Sequence, residues 1–295
     1  MGRSEEKQAE IDSSFTPPTQ RGLRLRWLLG RVTFGSELLS NTVSNRIMIR
    51  RTTQRRIVIG DVHGHYDGLM TLLEAIAPSS DDEIYFVGDL IDRGPKSAQV
   101  VKFVKQSGYA CLLGNHEQML LDVLGDGEIN GAALQGWLYS GGSATVNSYG
   151  DGGIPPEDVK WMATLPTYLD LGDIWLVHAG VNPRLPVEKQ TADELCWIRE
   201  EFHSMPRPYF HDKLIITGHT ITFTFPGVAP GQLATGNGWL DIDTGAYHQK
   251  SGWLTALDVT NQLVYQVNVA RRKVRKRRLE ESVTRVQPER VARRR

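Results

Sequence analysis

The residues able to do chemistry stand at the ends of short apolar runs. Asp61 and His63 follow "RIVIG", Asp89 and Asp92 follow "IYFVG", and Asn115 and His116 follow "ACLLG"; further on, His178 ends "IWLV" and His219 follows "LIITG". These are oxygen and nitrogen ligands with no thiolate among them. Such a set suits manganese, iron or zinc, and a shared aspartate can bridge two such ions about 3.5 Å apart. Any one fragment says little, because Asp-x-His is usually a turn and Gly-Asn-His-Glu is often only the start of a helix. Their recurrence in order, each time after a strand-like run, points to a dinuclear metal centre.

The elements that must position these residues follow from the periodicity. Between the first three runs lie two amphipathic patterns, "YDGLMTLLEAIA" with Leu69, Leu72, Leu73 and Ile76 on one face, and "PKSAQVVKFVKQ" with Val100, Val101, Phe103 and Val104 similarly spaced. Strand, helix, strand, helix, strand predicts a parallel sheet, and ligands gather beyond the carboxyl ends of its strands. After residue 165 hairpin patterns take over, as in "TYLDLGDIWLVHAG" and "GWLDIDTGAYHQKSGWLTALDVTNQLVYQV". These predict a second, mixed or antiparallel sheet packed on the first, with helices outside.

A chain of 295 residues has ample material for such a core. Its formal net charge of zero hides an asymmetry: residues 57–270 carry 11 Lys and Arg against 26 Asp and Glu, whereas residues 271–295 carry 12 against 3. The expected organisation is an N-terminal extension over 1–54 of undefined structure, a catalytic domain over 55–270, and a basic tail over 271–295. The tail has few apolar residues and is expected to be disordered or weakly helical, either a solvated terminus with no partner or a binder of nucleic acid, an acidic membrane or the acidic domain itself. Two cysteines, no run long enough to span a membrane and no signal-peptide layout favour a reducing, cytoplasmic setting.

The blocks "GDVHG", "GDLIDRG", "GNHE", "HAG" and "GHT" resemble the signatures of the PPP-type protein phosphatases, in particular bacterial and phage-lambda-like members, within the calcineurin-like metallophosphoesterase superfamily. The resemblance covers residues 55–270 and implies an α/β sandwich of two mixed β-sheets flanked by helices. It implies Asp61 and His63 as ligands of a first ion, Asp89 as the bridge, and Asn115, His178 and His219 as ligands of a second. His116 becomes the acid, Asp92 its orienting partner, Arg93 a phosphate clamp, and Arg199 in "CWIREEF" a second clamp. Leu113 departs from the lambda-type pattern, which has arginine there, and Ile221 departs from the Gly-His-x-His ending of the nuclease branches.

The implied activity is hydrolysis of phosphomonoesters, foremost phosphoserine and phosphothreonine in proteins and also phosphotyrosine, with two divalent ions, manganese foremost, and a phosphoprotein or phosphopeptide as substrate. Two ions bring a water to near-neutral pKa for in-line attack, and His116, held by Asp92, protonates the departing alkoxide. The alternatives are a dinucleoside polyphosphate or nucleotide hydrolase, whose second block commonly lacks the acid at the place of Asp92, and an inactive metal-binding module that tethers nucleic acid. His65, His203, His211 and His248 are expected at the surface or behind the ligands.

Overall fold

The structure, a computed structural model, describes residues 54–124 and 129–291. The N-terminal extension expected over 1–54 therefore lies, apart from Gln54, outside the described residues.

The first half alternates as the sequence predicts. Strands β1 (Arg56–Ile59), β2 (Glu83–Phe86) and β3 (Ala110–Cys111) run parallel, joined by α1 (Tyr66–Ile76) and α2 (Ser97–Ser107). Helix α3 (Asn115–Leu124) follows, then a helical insertion of α4 (Gly131–Trp137), a π-helical turn at Leu138–Gly142 and α5 (Ser143–Tyr149), and then α6 (Pro156–Met162). Strands β4 (Tyr168–Asp170) and β5 (Ile174–Val177) form a hairpin. Two short helices, α7 (Ala192–Trp197) and α8 (Glu200–His203), lead to β6 (Leu214–Thr217). Strands β7 (Leu233–Thr235), β8 (Trp239–Asp241), β9 (Trp253–Asp258) and β10 (Leu263–Asn268) follow; β9 and β10 form a hairpin, but it joins the first sheet antiparallel to β1 rather than the second sheet that the hairpin patterns predict.

The strands form two six-stranded mixed sheets, in the orders β11-β10-β9-β1-β2-β3 and β12-β7-β8-β6-β5-β4, where β11 is Lys273–Arg278 and β12 is Val283–Arg285. Alternation assigns each side chain to a layer. In β1, Ile57 and Ile59 join the α1 and α2 faces, whereas Val58 joins Leu112, Ile174, Leu176, Ile216 and Leu240 between the sheets. In β5, Ile174 and Leu176 point between the sheets while Trp175 and Val177 pack outward with Phe202 and Trp239. Strands buried on both faces need apolar residues at every position, hence the uninterrupted β-branched runs. No helix among the described residues is long and apolar enough to cross a membrane.

The tail corrects the expectation of disorder. Strand β11 pairs antiparallel with β10 from Asn268↔Lys273 to Leu263↔Arg278. The chain then crosses through α9 (Leu279–Ser282) to the other sheet, where β12 pairs in parallel with β7, and α10 (Pro288–Val291) follows. Composition misleads here because cations do the packing. The Arg275 guanidinium lies 3.8 Å from the centre of the Trp253 ring and donates to Gln266 Oε1 and to the Gly231 carbonyl, each at 2.7 Å, while Lys276 sits over Tyr265. Long cationic side chains cover apolar surface with their stems and planes, and a charged edge strand resists pairing with other chains. Val286 and Val291 are buried with Phe202 and Trp239, and Leu279 and Val283 pack partly buried against the layer between the sheets, anchors spread too thinly to show as an apolar pattern.

The folded body therefore extends past residue 270. A chain ending at Ala270 loses an edge strand of each sheet and two buried valines, each worth about 1.5–3 kcal/mol. It should melt at least about 5 °C lower than the full chain; an unchanged melting temperature would show that β11 and β12 are dispensable.

Candidate metal centre

Strands β1, β2, β3, β5 and β6 deliver their terminal residues to one place. The loops after them are unusually bent: His63, Asp89, Asp92, Arg93 and His219 all have positive φ, between 45° and 72°. Non-glycine residues hold such backbone at a cost of order 1–3 kcal/mol each, and only where the surroundings enforce it. Much of that enforcement comes from Glu117. Fully buried, its carboxylate accepts from the backbone N–H groups of Asp89 (2.9 Å), Leu90 (2.8 Å), Ile91 (3.2 Å) and Gly114 (3.1 Å). Burial, and next the Asp89 charge, pushes Glu117 up to about 7. Two glycines let the backbone press against the carboxylates, since a Cβ on Gly114 would lie 2.3 Å from Asp89 Oδ1 and one on Gly218 2.1 Å from Asp61 Oδ1.

Asp89 stands at the middle. Its Oδ2 lies 3.5 Å from His63 Nε2 and 3.9 Å from His116 Nε2, and its Oδ1 lies 3.3 Å from His178 Nε2. His63, Asp89 and His116 form one triad of potential ligands, and Asp89, His178 and His219 a second, the ligand atoms of each lying within 4.8 Å of one another. Asn115 Oδ1 joins the second, 3.0 Å from His178 Nε2 and 2.7 Å from His219 Nδ1. Asp61 accepts from the His219 backbone N–H with both oxygens, at 3.2 and 3.1 Å.

The tautomers indicate what this arrangement suits. His63 Nδ1 meets the Ile91 carbonyl at 2.9 Å, His178 Nδ1 the Val87 carbonyl at 2.8 Å, and His219 Nε2 the Trp197 carbonyl at 3.2 Å. Each ring spends its N–H on the backbone and turns a lone pair inward. His178 Nε2, His219 Nδ1, Asn115 Oδ1 and Asp89 Oδ1 then face one another with no proton to share. Burial, and next neighbouring cationic groups, lower the pKa of His63 and His219 well below the usual imidazole range. Asp61 is raised well above the carboxylate range by burial and then by the Asp243 and Asp89 charges. Burial works to raise Asp89 too, but His178, His116 and His63 outweigh it and hold the carboxyl well below its ordinary range. Proton-free donors packed this closely fit divalent cations, which would convert their mutual repulsion into ligation.

The remaining sequence-predicted residues lie beside the donors. His116 Nδ1 is 2.6 Å from Asp92 Oδ2. Arg93 Nη1 is 3.0 Å from His63 Nε2, and its guanidinium rests 3.9 Å above the Tyr247 ring. Arg199 Nη1 donates to the His219 carbonyl at 3.2 Å and to Thr220 Oγ1 at 3.1 Å. One guanidinium thus adjoins each triad. Leu113, where lambda-type enzymes carry arginine, is buried and brings no charge to the site.

Sequence reasoning missed several supports. Asp92 is held by Trp137 Nε1 (2.8 Å) and Thr145 Oγ1 (2.6 Å), both supplied by the α4–α5 insertion, which also offers the Gly141 carbonyl to the Arg93 N–H. No local pattern announces these partners. Asp243 was legible, because β8 ends in Asp241-x-Asp243 as β1 ends in Asp61-x-His63; burial pushes it up to about 6. Of the four histidines assigned to the surface or behind the ligands, His211 is exposed, whereas His203 is buried with its Nδ1 on the Arg199 carbonyl at 2.7 Å. His203 Nε2 lies 3.5 Å from Asp241 Oδ2, without hydrogen-bond geometry.

Comparison with known proteins agrees with this geometry. The family description "Calcineurin-like phosphoesterase" matches residues 55–249. The symmetrical bis(5′-nucleosyl)-tetraphosphatase of Dechloromonas aromatica (strain RCB) is 38% identical over 161 residues, 53% of each chain. Its namesake from Methylobacillus flagellatus is 32% identical over 133 residues, 44% of this chain and 45% of the relative. The chain thus spans about half the length of the curated relatives it matches. A crystal structure described as a candidate diadenosine tetraphosphatase superposes with a TM-score of 0.53 at 21% identity, covering 77% of this chain and 95% of that one, and speaks for the fold. With its two mixed sheets, the donors gathered at its strand ends and a match across most of the described body, the chain belongs to the calcineurin-like phosphoesterase family.

Proposed function

We propose that this metal-dependent phosphoesterase hydrolyses bis(5′-nucleosyl) tetraphosphates, breaking the central phosphoanhydride to give two nucleoside diphosphates. The observation that carries the substrate is the 38% identity over 161 residues to a symmetrical bis(5′-nucleosyl)-tetraphosphatase. This reading takes the place of the phosphoprotein substrate expected from the motifs. Asp61, His63, Asp89, Asn115, His178 and His219 would hold two divalent ions, with manganese as the proposed occupant. Such ions supply Lewis acidity, acidifying a water and offsetting charge on the phosphoryl oxygens. The protein's own groups do the rest. Arg93 and Arg199, one on each side, can bind the oxygens of the phosphoryl group under attack. His116 adjoins Asp89, and its Nδ1–H···Oδ2 contact with Asp92 leaves Nε2 facing the centre, where it can hand a proton to the departing oxygen.

The His116–Asp92 contact favours a second reading, hydrolysis of phosphoserine or phosphothreonine. A nucleoside diphosphate leaves readily as an anion, whereas a serine alkoxide needs a proton. The buried, doubly hydrogen-bonded Asp92 is the equipment for the harder departure.

Turnover with manganese on diadenosine tetraphosphate and on a phosphoserine peptide separates the two readings. We expect kcat/KM to be at least about tenfold higher on the dinucleotide; the reverse order would establish the phosphoprotein reading.

Leaving-group dependence tests His116. On a phosphoserine substrate His116→Asn should lose about 10²–10⁴-fold in kcat, and on nitrophenyl phosphate or the tetraphosphate clearly less. Equal losses on all three, at unchanged metal content, would contradict the acid role.

The bridging role of Asp89 predicts a thermal shift. Manganese at about 100 times its dissociation constant should stabilise the wild-type chain by about 2.7 kcal/mol per site, and Asp89→Asn should lose most of that gain. An equal shift in both proteins would show that Asp89 is not a ligand.

A further inference from the structure

We propose that the cavity behind Tyr247 is a nucleotide subsite, holding the nucleoside end of one half of the substrate while its phosphate chain reaches the metal centre. The inference rests on the tetraphosphate reading above and adds where that substrate is recognised. With a volume of about 500 Å³, the cavity lies in the range that encloses a small-molecule ligand.

Position is the first argument. Tyr247 forms part of the cavity wall, its ring meets that of His63 edge-on at 5.0 Å, and it carries the Arg93 guanidinium on its face at 3.9 Å. A phosphate gripped by Arg93 is therefore one aromatic ring from the cavity, a gap that the next phosphate and a ribose can cross.

The lining is the second argument. Tyr247 and Trp253 line the cavity, and although Arg93 and Arg275 each cover one ring face, a base can stack on the opposite face, a contact worth about 1–3 kcal/mol per base. His65 also lines the cavity. Lys250 and Arg271 are exposed at the edge, and neither makes an ion pair among the described residues. Uncommitted cations are notable on a body whose residues 57–270 hold 26 acids against 11 bases. A polyphosphate is the ligand that uses both features, because its anionic chain draws on the two cations while its base fills the aromatic interior.

Calorimetric titration of the manganese-loaded full chain with adenosine 5′-diphosphate and with pyrophosphate tests the subsite. The nucleotide should bind at least about tenfold more tightly than pyrophosphate, and the double variant Lys250→Ala/Arg271→Ala should weaken nucleotide binding by about tenfold or more. Both substitutions are on exposed side chains outside the metal centre, so hydrolysis of nitrophenyl phosphate should be unchanged, which also verifies folding. Equal affinity for the two ligands would overturn the proposal, as would unaltered nucleotide binding in the variant. So would a variant whose only defect is a raised KM for an acidic phosphopeptide, which would give the cavity to peptide recognition. Binding is read apart from turnover: if the dinucleotide is not hydrolysed yet adenosine diphosphate binds as described, the subsite stands and the assignment of the reaction falls.

Discussion

Lone pairs held against one another around Asp89 are the constraint on which this structure depends. Three imidazoles have committed their N–H groups to backbone carbonyls, an amide oxygen and the Asp89 carboxylate face them, and the whole set is withdrawn from water. Left to itself such a cluster would swell, take up protons or open. It is held by β-branched strands locked between two sheets, by positive-φ loops, and by Glu117, whose four backbone donors bind the Asp89 loop to the start of α3. Stability taken from the apolar layers thus maintains an arrangement that only a cation satisfies.

The same economy governs the neighbouring groups. Asp92 is kept in place by Trp137 and Thr145 from an insertion far along the chain, so the group that orients His116 is set by packing rather than by its own loop. His203, behind the centre, holds the carbonyl of Arg199 and so bears on where that guanidinium points. The centre therefore draws its geometry from elements of both sheets, which explains why the sandwich, and not a smaller unit, is needed to build it.

How much of this was legible depends on the range of the interaction. Candidate ligands at strand ends can be read because burial on both faces forces an apolar run, and the run must stop where the chain meets the site; Asp61, Asp89, Asn115, His178 and His219 all stand where that rule puts them. Asp243 obeys it too, yet the hairpin pattern around it suggested only a turn. Trp137 and Thr145 could not be found, because nothing local distinguishes a tryptophan that caps a distant carboxylate from one that fills a core. The tail was misread for a different reason. Its strand is stabilised by Arg275 on Trp253 and by pairing to β10, neither of which leaves an apolar alternation to detect.

The central claim is that the donors around Asp89 form a two-ion centre, and anomalous diffraction from crystals grown with manganese tests it most directly. Two anomalous peaks about 3.5 Å apart, with Asp89 between them, His63 beside one and His178, His219 and Asn115 around the other, are the predicted result. A single peak, or manganese bound elsewhere while these donors remain without an ion, would contradict it.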